Sequence, residues 1–398
     1  MSRQIVGIDI GSSETRVLIA EGTVDNGHFS PKIIGTGTAE SKGVERGFVV
    51  DVEEASESLR LALAKAEKMS GVKPKRAYVS FDGIGLGSLT ATGQVIITRA
   101  DLEVTERDLQ MGLEAAESSI PKTAIVNKSI INTVPIEYKI DGQVSWGSPV
   151  GLKAHKLEVK ALFITCLEHH LENLIKAVQE AGVEVIDVVA SPVAGSFVTV
   201  SKKQRRVGCL LADIGAESMS VIAFENNNPV SLEVFPVGGN DITNDIALGL
   251  KVSLEEAETI KLGGLSRSPY SKKKLDEIIS ARLWDCFEVI EGHLKKLGRD
   301  KLLPAGIIIS GSSSRLPGIK TLAEDALALP AQLAEIHFGS EKGKIKDNTW
   351  AICCGLVLLG FNAGGSGPLS SKHKSHAPGV DGSQALKRLS RWFHQFLP

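Results

Sequence analysis

The strongest constraint in this sequence is a short pattern written twice. Residues 5–20, IVGIDIGSSETRVLIA, read as a β-branched strand, a tight turn and a second strand, with Asp9 ending the first strand and Gly11-Ser12-Ser13 in the turn. Glycine can take the positive φ that a close backbone approach needs, small residues leave backbone N–H groups open to phosphate oxygens, and an aspartate beside them can hold a hydrated cation. A hairpin can also use the same residues for geometry alone. Residues 209–224, CLLADIGAESMSVIAF, repeat the pattern, so that Asp9-Ile10-Gly11 is matched by Asp213-Ile214-Gly215. At the same offset Val17 falls on Val221, Glu21 on Glu225 and Gly35 on Gly239, the last after a further apolar strand in each copy. The chain is therefore expected to be a tandem of two related α/β halves. Two acid-tipped hairpins facing each other across a cleft would hold one Mg2+-nucleotide between them, which neither could do alone.

The chain has room for this arrangement: 398 residues, 42% of them hydrophobic, supply two domains with substantial cores. A formal net charge of −2 gives no general attraction to nucleic acid, which is excluded as a partner. The five cysteines are odd in number and scattered, with no CxxC pair, and read as buried reduced thiols of a cytosolic protein. The N-terminus, MSRQIVGID, runs into a strand rather than a signal-peptide core, and the longest apolar run, Ala351 to Phe361, is too short to span a bilayer. The expectation is a protein made in, and remaining in, the cytoplasm.

Between the hairpins, Val52 to Met69 has the pattern of an amphipathic helix ended by Gly71, and Arg76 to Phe81 that of a strand, giving the order β-β-β-α-β. Asp82 to Gly87, DGIGLG, lacks both the GxGxxG spacing and the following helix of a dinucleotide turn, and reads as a hinge. Residues 88–160 depart from the repeat: a strand at 94–98, a helix at 105–118, a strand at 128–139, a DGQ turn and a strand at 156–165 form a small α+β lobe. A helix at 167–181 and a strand at 184–189 finish the first half, and SPVAGSF at 191–197 crosses to the second. There the pattern predicts helices at 242–248, 254–262, 275–297, 319–327 and 349–359, and a buried strand at 306–310. The basic loop SRSPYSKKK at 266–274 reads as a solvated face.

The paired DIGSSET and DIGAES turns, with VGGNDIT at 237–243, AETIK at 257–261 and IIISGSSSRLPG at 307–318, resemble the actin/Hsp70/sugar-kinase ATPase superfamily and, within it, the FtsA family of bacterial cell-division proteins. The resemblance runs over roughly residues 4–362. It implies an α/β, actin-like ATPase fold: two duplicated RNase H-like domains around a nucleotide cleft, an inserted α+β subdomain and a C-terminal amphipathic helix. The expected divisions are 1–82 and 166–190 for the first domain, 83–165 for the insertion, 191–362 for the second with an outer lobe at about 243–303, then a linker at 363–383 and a terminal helix at 384–398. The expected cofactors are ATP and Mg2+, with Asp9 and Asp213 as catalytic acids that organise the metal through water. Gly11, Ser12, Ser13, Gly215 and Ala216 would cradle phosphates, and Gly239 would let the backbone pass close to the nucleotide. By resemblance, Glu258 and Lys261 hold the ribose and base edge, while Gly311, Ser312 and Arg315 line the adenine pocket. No Walker A pattern occurs, which excludes a P-loop NTPase.

Three departures from the pattern weigh against fast turnover: Glu14 where relatives commonly have a lysine, AESMS at 216–220 in place of a Gly- and Thr-rich turn, and Ser191 where an acid is usual. Added anions near the phosphates raise the electrostatic cost of binding ATP, so the expectation is nucleotide binding with slow hydrolysis or none. The family resemblance implies a protein that polymerises head to tail and tethers the tubulin-like FtsZ ring to the cytoplasmic face of the bacterial membrane at the division site. Its partners would be the FtsZ C-terminal peptide on the outer lobe, other copies of itself, and other division proteins through the insertion. A PilM-like pilus scaffold and a small-metabolite kinase are the alternatives.

The tail distinguishes these readings. Residues 364–383 are a Gly/Ser/Pro/His linker with a coil span of roughly 25 Å, and His373 and His376 sit in it as solvated residues. After it Leu386, Leu389, Trp392, Phe393, Phe396 and Leu397 fall on one helical face and Lys387, Arg388 and Arg391 on the other. This is too short to span a bilayer but suits its interface, where half-burying those apolar side chains contributes roughly 5 to 8 kcal/mol gross on an anionic membrane surface. A helix docked on the protein's own body is the alternative for this segment.

Overall fold

A computed structural model describes residues 3–25, 28–265, 269–338 and 345–363. The linker beyond residue 363 and every candidate membrane-binding residue from Leu386 to Leu397 lie outside the described residues.

The first half opens with β1 (Arg3–Ile10), which turns back on β2 (Glu14–Asp25), which in turn pairs with β3 (His28–Glu40). A two-strand hairpin, β4 (Val44–Glu45) and β5 (Phe48–Val49), follows and turns on Arg46 and Gly47, both at positive φ. Helix α1 (Val52–Ser70) starts where the Asp51 side chain accepts the Glu54 N–H, and ends at Gly71, left-handed at φ 70°. Its close fit on β3 depends on Gly37, where an added Cβ would fall 1.9 Å from the Ala62 carbonyl oxygen. Strand β6 (Arg76–Phe81) lies parallel to β1.

The insertion comprises β7 (Gly87–Ile96), α2 (Glu106–Ser118), β8 (Lys128–Ile140), β9 (Gln143–Ser145) and β10 (Lys156–Leu167). The chain re-enters the first half through α3 (Glu168–Glu180) and β11 (Glu184–Ala190), crosses on α4 (Ser191–Thr199) and the short α5 (Lys202–Val207), and builds the second half. That half contains β12 (Cys209–Ile214), β13 (Met219–Glu225), β14 (Asn228–Phe235), α6 (Gly239–Leu250), α7 (Leu254–Lys261), α8 (Lys272–Lys296), β15 (Ile307–Ser310), α9 (Ile319–Leu327) and β16 (Ala331–Leu333). The last described helix, α10 (Ala351–Asn362), returns to the first half.

The duplication read from the sequence is present in the topology. One sheet runs β11-β6-β1-β2-β3 and the other begins β16-β15-β12-β13-β14, so each half has its acid-tipped hairpin in the same place. In both, the strand carrying the acid is parallel to its neighbour on one side and antiparallel on the other. The sequence correspondence ends sooner than the residues suggested. Gly35 lies inside β3, packed on α1, whereas Gly239 begins α6, because β13 is much shorter than β2.

The insertion bridges both halves. Its sheet continues the second one, β14-β7-β10-β8-β9, through the Glu233–Gly87 pair and a reciprocal bond in which Ser88 Oγ accepts from the Leu232 N–H at 2.8 Å and donates to its carbonyl at 3.2 Å. On the other side Asn132 of β8, fully buried, accepts the Ala190 N–H at 2.9 Å and donates to the Val188 carbonyl at 3.3 Å. The Val188 carbonyl and Ala190 N–H of the edge strand β11 are thereby satisfied by a side chain of the insertion.

Helices α4 and α10 pack together where the halves meet. Helix α10 is apolar on all sides, as a helix buried all round must be. Gly355 gives it the closeness it needs, since a Cβ there would lie 1.8 Å from the Ala194 carbonyl oxygen. The same helix covers β1, with Gly7 against the Cys353 carbonyl and Arg3 donating to the Gly360 carbonyl at 2.9 Å. All five cysteines are buried and free.

Candidate nucleotide cleft

The two duplicated turns are built alike. Gly11 N–H donates to the Glu14 carbonyl at 3.2 Å in the first, and Gly215 N–H to the Ser218 carbonyl at 2.9 Å in the second. Each bond closes a tight loop around two residues at the tip. Among the described residues, the N–H groups of those tip residues, Ser12 and Ser13 in one turn and Ala216 and Glu217 in the other, donate to no protein acceptor. Four unused amides on two facing tips suit the oxygens of a polyphosphate.

Below the tips lie carboxylates. Asp9 is 5% exposed and accepts from Ser80 Oγ at 2.6 Å. Burial raises its pKa, against the pull of the Arg16 guanidinium and the Ser80 hydroxyl. Asp213 is pushed up to about 7, first by desolvation and then by repulsion from Asp82 and Asp9, with the Ser310 hydroxyl and Arg16 opposing. The third acid, Asp82, is raised by burial and by Asp9, and accepts from Ser218 Oγ across the cleft at 3.4 Å. The hinge reading of 82–87 passed over this residue. The signal was available in the sequence, since Asp82 follows a mainly apolar strand and comes just before a glycine, as Asp9 and Asp213 do.

The residues read for ribose and base converge on the second turn. Gly239 N–H donates to the Gly215 carbonyl at 2.9 Å, and a Cβ on Gly239 would lie 2.7 Å from Ser313 Oγ. Ser313 Oγ donates to the Gly215 carbonyl at 3.3 Å, and Gly311, at φ 87°, lies against the backbone of Ile214. Glu258 and Lys261, one helical turn apart, are paired at 2.6 Å. Lys261 Nζ also donates to the Gly239 carbonyl at 3.0 Å, and the Thr243 hydroxyl donates to Glu258. Ser312 is exposed beside them. Arg315 is directed elsewhere: it is ion-paired with Asp347, so stacking on a base would require that pair to open.

The anions that depart from the pattern are occupied. Glu14 pairs with Arg16 at 2.5 Å, which leaves the phosphate side of the first turn with less negative charge than the sequence implies. Glu217 accepts the Arg46 N–H at 2.6 Å and the Asn240 side-chain amide at 3.3 Å. The β4–β5 turn that supplies Arg46 also donates from Gly47 N–H to Ser12 Oγ at 2.9 Å, so it touches both phosphate turns at once. This contact joins residues far apart in the chain and left no local pattern by which to read it.

ATP with Mg2+ fits these groups: free amides for phosphate, and carboxylates with unsatisfied oxygen below for a hydrated cation, including Asp82 Oδ1, buried without a partner. Among the described residues no three His, Cys, Asp or Glu side chains stand close enough to hold a metal directly.

Comparison with known proteins gives independent results. Residues 210–355 match the family model "Cell division protein FtsA", and residues 83–165 the model "SHS2 domain inserted in FTSA". The chain is 30% identical to the cell division protein FtsA of Bacillus subtilis over 84% of its length and 79% of that protein, and 28% identical to that of Pseudomonas aeruginosa over 98% and 97%. Among solved structures it is similar to a PilM-PilN type IV pilus biogenesis complex, with a TM-score of 0.65 at 18% identity over 89% of this chain and 98% of that one. It is also similar to MreB 5 of Spiroplasma citri bound to AMPPNP, with a TM-score of 0.52 at 13% identity over 90% and 96%. At such identities the two structures speak for the fold alone.

Proposed function

The chain belongs to the FtsA family of bacterial cell-division proteins, and on that premise we propose that it binds Mg2+-ATP between its duplicated turns, polymerises, and links the FtsZ ring to the cytoplasmic face of the membrane through its C-terminal segment. It is an actin-like, ATP-binding protein of cell division. The observation that carries the nucleotide assignment is the pair of facing turns, each with two unused amides above an acid, Asp9 or Asp213. In this reading Ser12, Ser13 and Ala216 bind phosphate, Gly239 admits the nucleotide, Glu258 and Lys261 contact the ribose, and Gly311 and Ser312 flank the base, joined by Arg315 once its pair with Asp347 opens. Turnover is slow, because Glu217 and a crowd of carboxylates disfavour charge build-up at the phosphates.

Two surface features support the partner assignments. The outer lobe presents four exposed leucines, Leu248, Leu254, Leu262 and Leu265, at 78, 57, 73 and 97% exposure, apolar side chains of the kind that a short peptide such as the FtsZ C-terminus could cover. The insertion ends in the open edge strand β9, beside which Trp146 is 89% exposed, a surface suited to another division protein or a second copy of the chain. The pilus-scaffold alternative shares the fold, but family membership favours division.

The membrane role rests on the amphipathic sequence from Leu386 to Leu397, with Lys387, Arg388 and Arg391 facing lipid headgroups. Co-sedimentation with anionic vesicles in the presence of ATP tests it, comparing the full chain with one truncated after Gly364. Pelleting that disappears with the tail is the expected result. Equal pelleting of both chains would remove the tether from this reading.

A further inference from the structure

Asp82 stands beside Asp9 at the end of the neighbouring strand. Strands β6 and β11 are neighbours in parallel register through Phe81 and Ala190, so the next residue of each, Asp82 and Ser191, leave their strands side by side. They do so at the strand ends where β1 delivers Asp9. Asp82 is therefore the third strand-end acid on the floor of the cleft, and it is felt electrostatically by both Asp9 and Asp213.

The surrounding groups are incompletely satisfied. Asp82 Oδ2 takes a long 3.4 Å contact from Ser218 Oγ, the Gly83 N–H lies close enough to oppose the rise in its pKa, and Oδ1 is buried with no well-formed hydrogen bond. Ser191 Oγ, beside Asp82, and Ser310 Oγ, beside Asp213, each pull the neighbouring carboxyl's pKa down but make no well-formed hydrogen bond, although each residue is only 1% exposed. Buried polar atoms are rarely left unpaired, because each costs about 1 to 3 kcal/mol. Two hydroxyls and a carboxylate oxygen beside the strand-end acids, each short of a full set of partners, can accept from and donate to ordered water. The direct-ligand alternative is disfavoured, since no described group of three acids is close enough to bind a bare ion.

We propose that Asp82 is a third acceptor for the water shell of the Mg2+ that enters with the nucleotide, supported by Ser191 and Ser310 as partners of the same waters. This rests on the Mg2+-ATP reading of the cleft. Three carboxylates repel an uncomplexed triphosphate more than two would, and hold its hydrated cation more firmly. Nucleotide binding by this chain is accordingly steeply dependent on the divalent cation.

Calorimetric titration of ATP into the full chain, once with excess Mg2+ and once with EDTA, tests the assignment. In Asp82→Asn the ratio of the Kd in EDTA to the Kd in Mg2+ falls about tenfold, with weaker binding in Mg2+ and tighter binding in EDTA. Asp82→Ser, neutral and smaller, provides the same comparison if the Asn chain does not fold. A ratio unchanged in the folded variants, or a wild-type chain that binds ATP equally with and without Mg2+, would overturn the role of Asp82 alone. No ATP binding by the wild type under either condition would overturn the nucleotide reading and this proposal with it.

Discussion

Glu217, at the tip of the second of the duplicated turns, accepts the backbone N–H of Arg46 from the opposite half of the molecule at 2.6 Å. Its other oxygen takes the Asn240 amide at 3.3 Å, so one carboxylate ties the β4–β5 turn to the N-terminus of α6 across the mouth of the cleft. The tie lies where phosphate oxygens would enter, and it carries a negative charge.

Glu217→Ala should therefore loosen the closed mouth and remove an anion from the phosphate path. The two effects act in the same direction on association. The expected result is ATP binding tighter by about fivefold, the equivalent of ~1 kcal/mol for a partly solvated charge, with most of the gain in the association rate. Stopped-flow binding of a fluorescent ATP analogue measures both. Unchanged rates would show that Glu217 does not gate entry.

The raised pKa of Asp213 gives the nucleotide-free protein a pH dependence of known sign. The carboxyl ionises near 3.8 when unfolded and at about 7 when folded, so between those values the folded state holds its proton more tightly. Folding stability from this group is highest below about pH 4, falls as the pH rises to about 7, and is level above that. Asp213→Asn removes the ionisation. Its thermal midpoint in EDTA should match that of the wild type near pH 4 and exceed it increasingly up to about pH 7.5. The variant should also lose Mg2+-dependent ATP binding. A midpoint difference that did not change with pH would refute the assignment.

Much of this site was legible in the sequence, for a definite reason. Asp9 and Asp213 stand in turns whose residue types are dictated by local backbone geometry and occur twice, and local geometry is what a sequence records best. The E-x-x-K pair at Glu258 and Lys261 was readable because helical spacing alone puts both on one face. Arg16 was not, because its relation to Asp9 depends on the pairing of β1 with β2 in which the two are opposite. Asp82 was missed because the neighbouring glycines suggested a hinge, and its proximity to Asp213 depends on how the halves close. The Asn132 bridge was invisible for the same reason, since it joins elements that only tertiary structure brings together.

Asn132 supplies a test of how firmly the insertion is held. It is fully buried, and its amide is the partner of both Ala190 N–H and the Val188 carbonyl. Asn132→Leu keeps the branched shape in a larger side chain and leaves two backbone groups unsatisfied, which together should cost about 1 to 3 kcal/mol or more in urea unfolding. Because Ala190 immediately precedes Ser191 at the cleft, Mg2+-ATP affinity should weaken as well. A stable variant with normal ATP binding would show that water or a neighbouring group replaces the amide.

Gly355 and Gly71 allow packing to be separated from conformation. At Gly355 a Cβ would lie 1.8 Å from the Ala194 carbonyl oxygen and 2.4 Å from its carbon, both backbone atoms that cannot swing aside. Alanine there gains up to about 1 kcal/mol of helix propensity, but overpacking costs about 1 to 3 kcal/mol or more, and the clash with rigid backbone puts this site at the upper end. The net expectation for Gly355→Ala is a loss of about 2 kcal/mol, with α4 displaced and ATP binding weakened because α4 begins at Ser191. At Gly71 nothing lies within 4 Å of an added Cβ, and the only penalty is a left-handed φ of 70°. Gly71→Ala should cost about 1 kcal/mol and leave ATP binding untouched. Urea unfolding and ATP titration on the two variants decide the matter. If both lost stability equally and neither lost affinity, the α4–α10 contact would not transmit packing strain to the cleft.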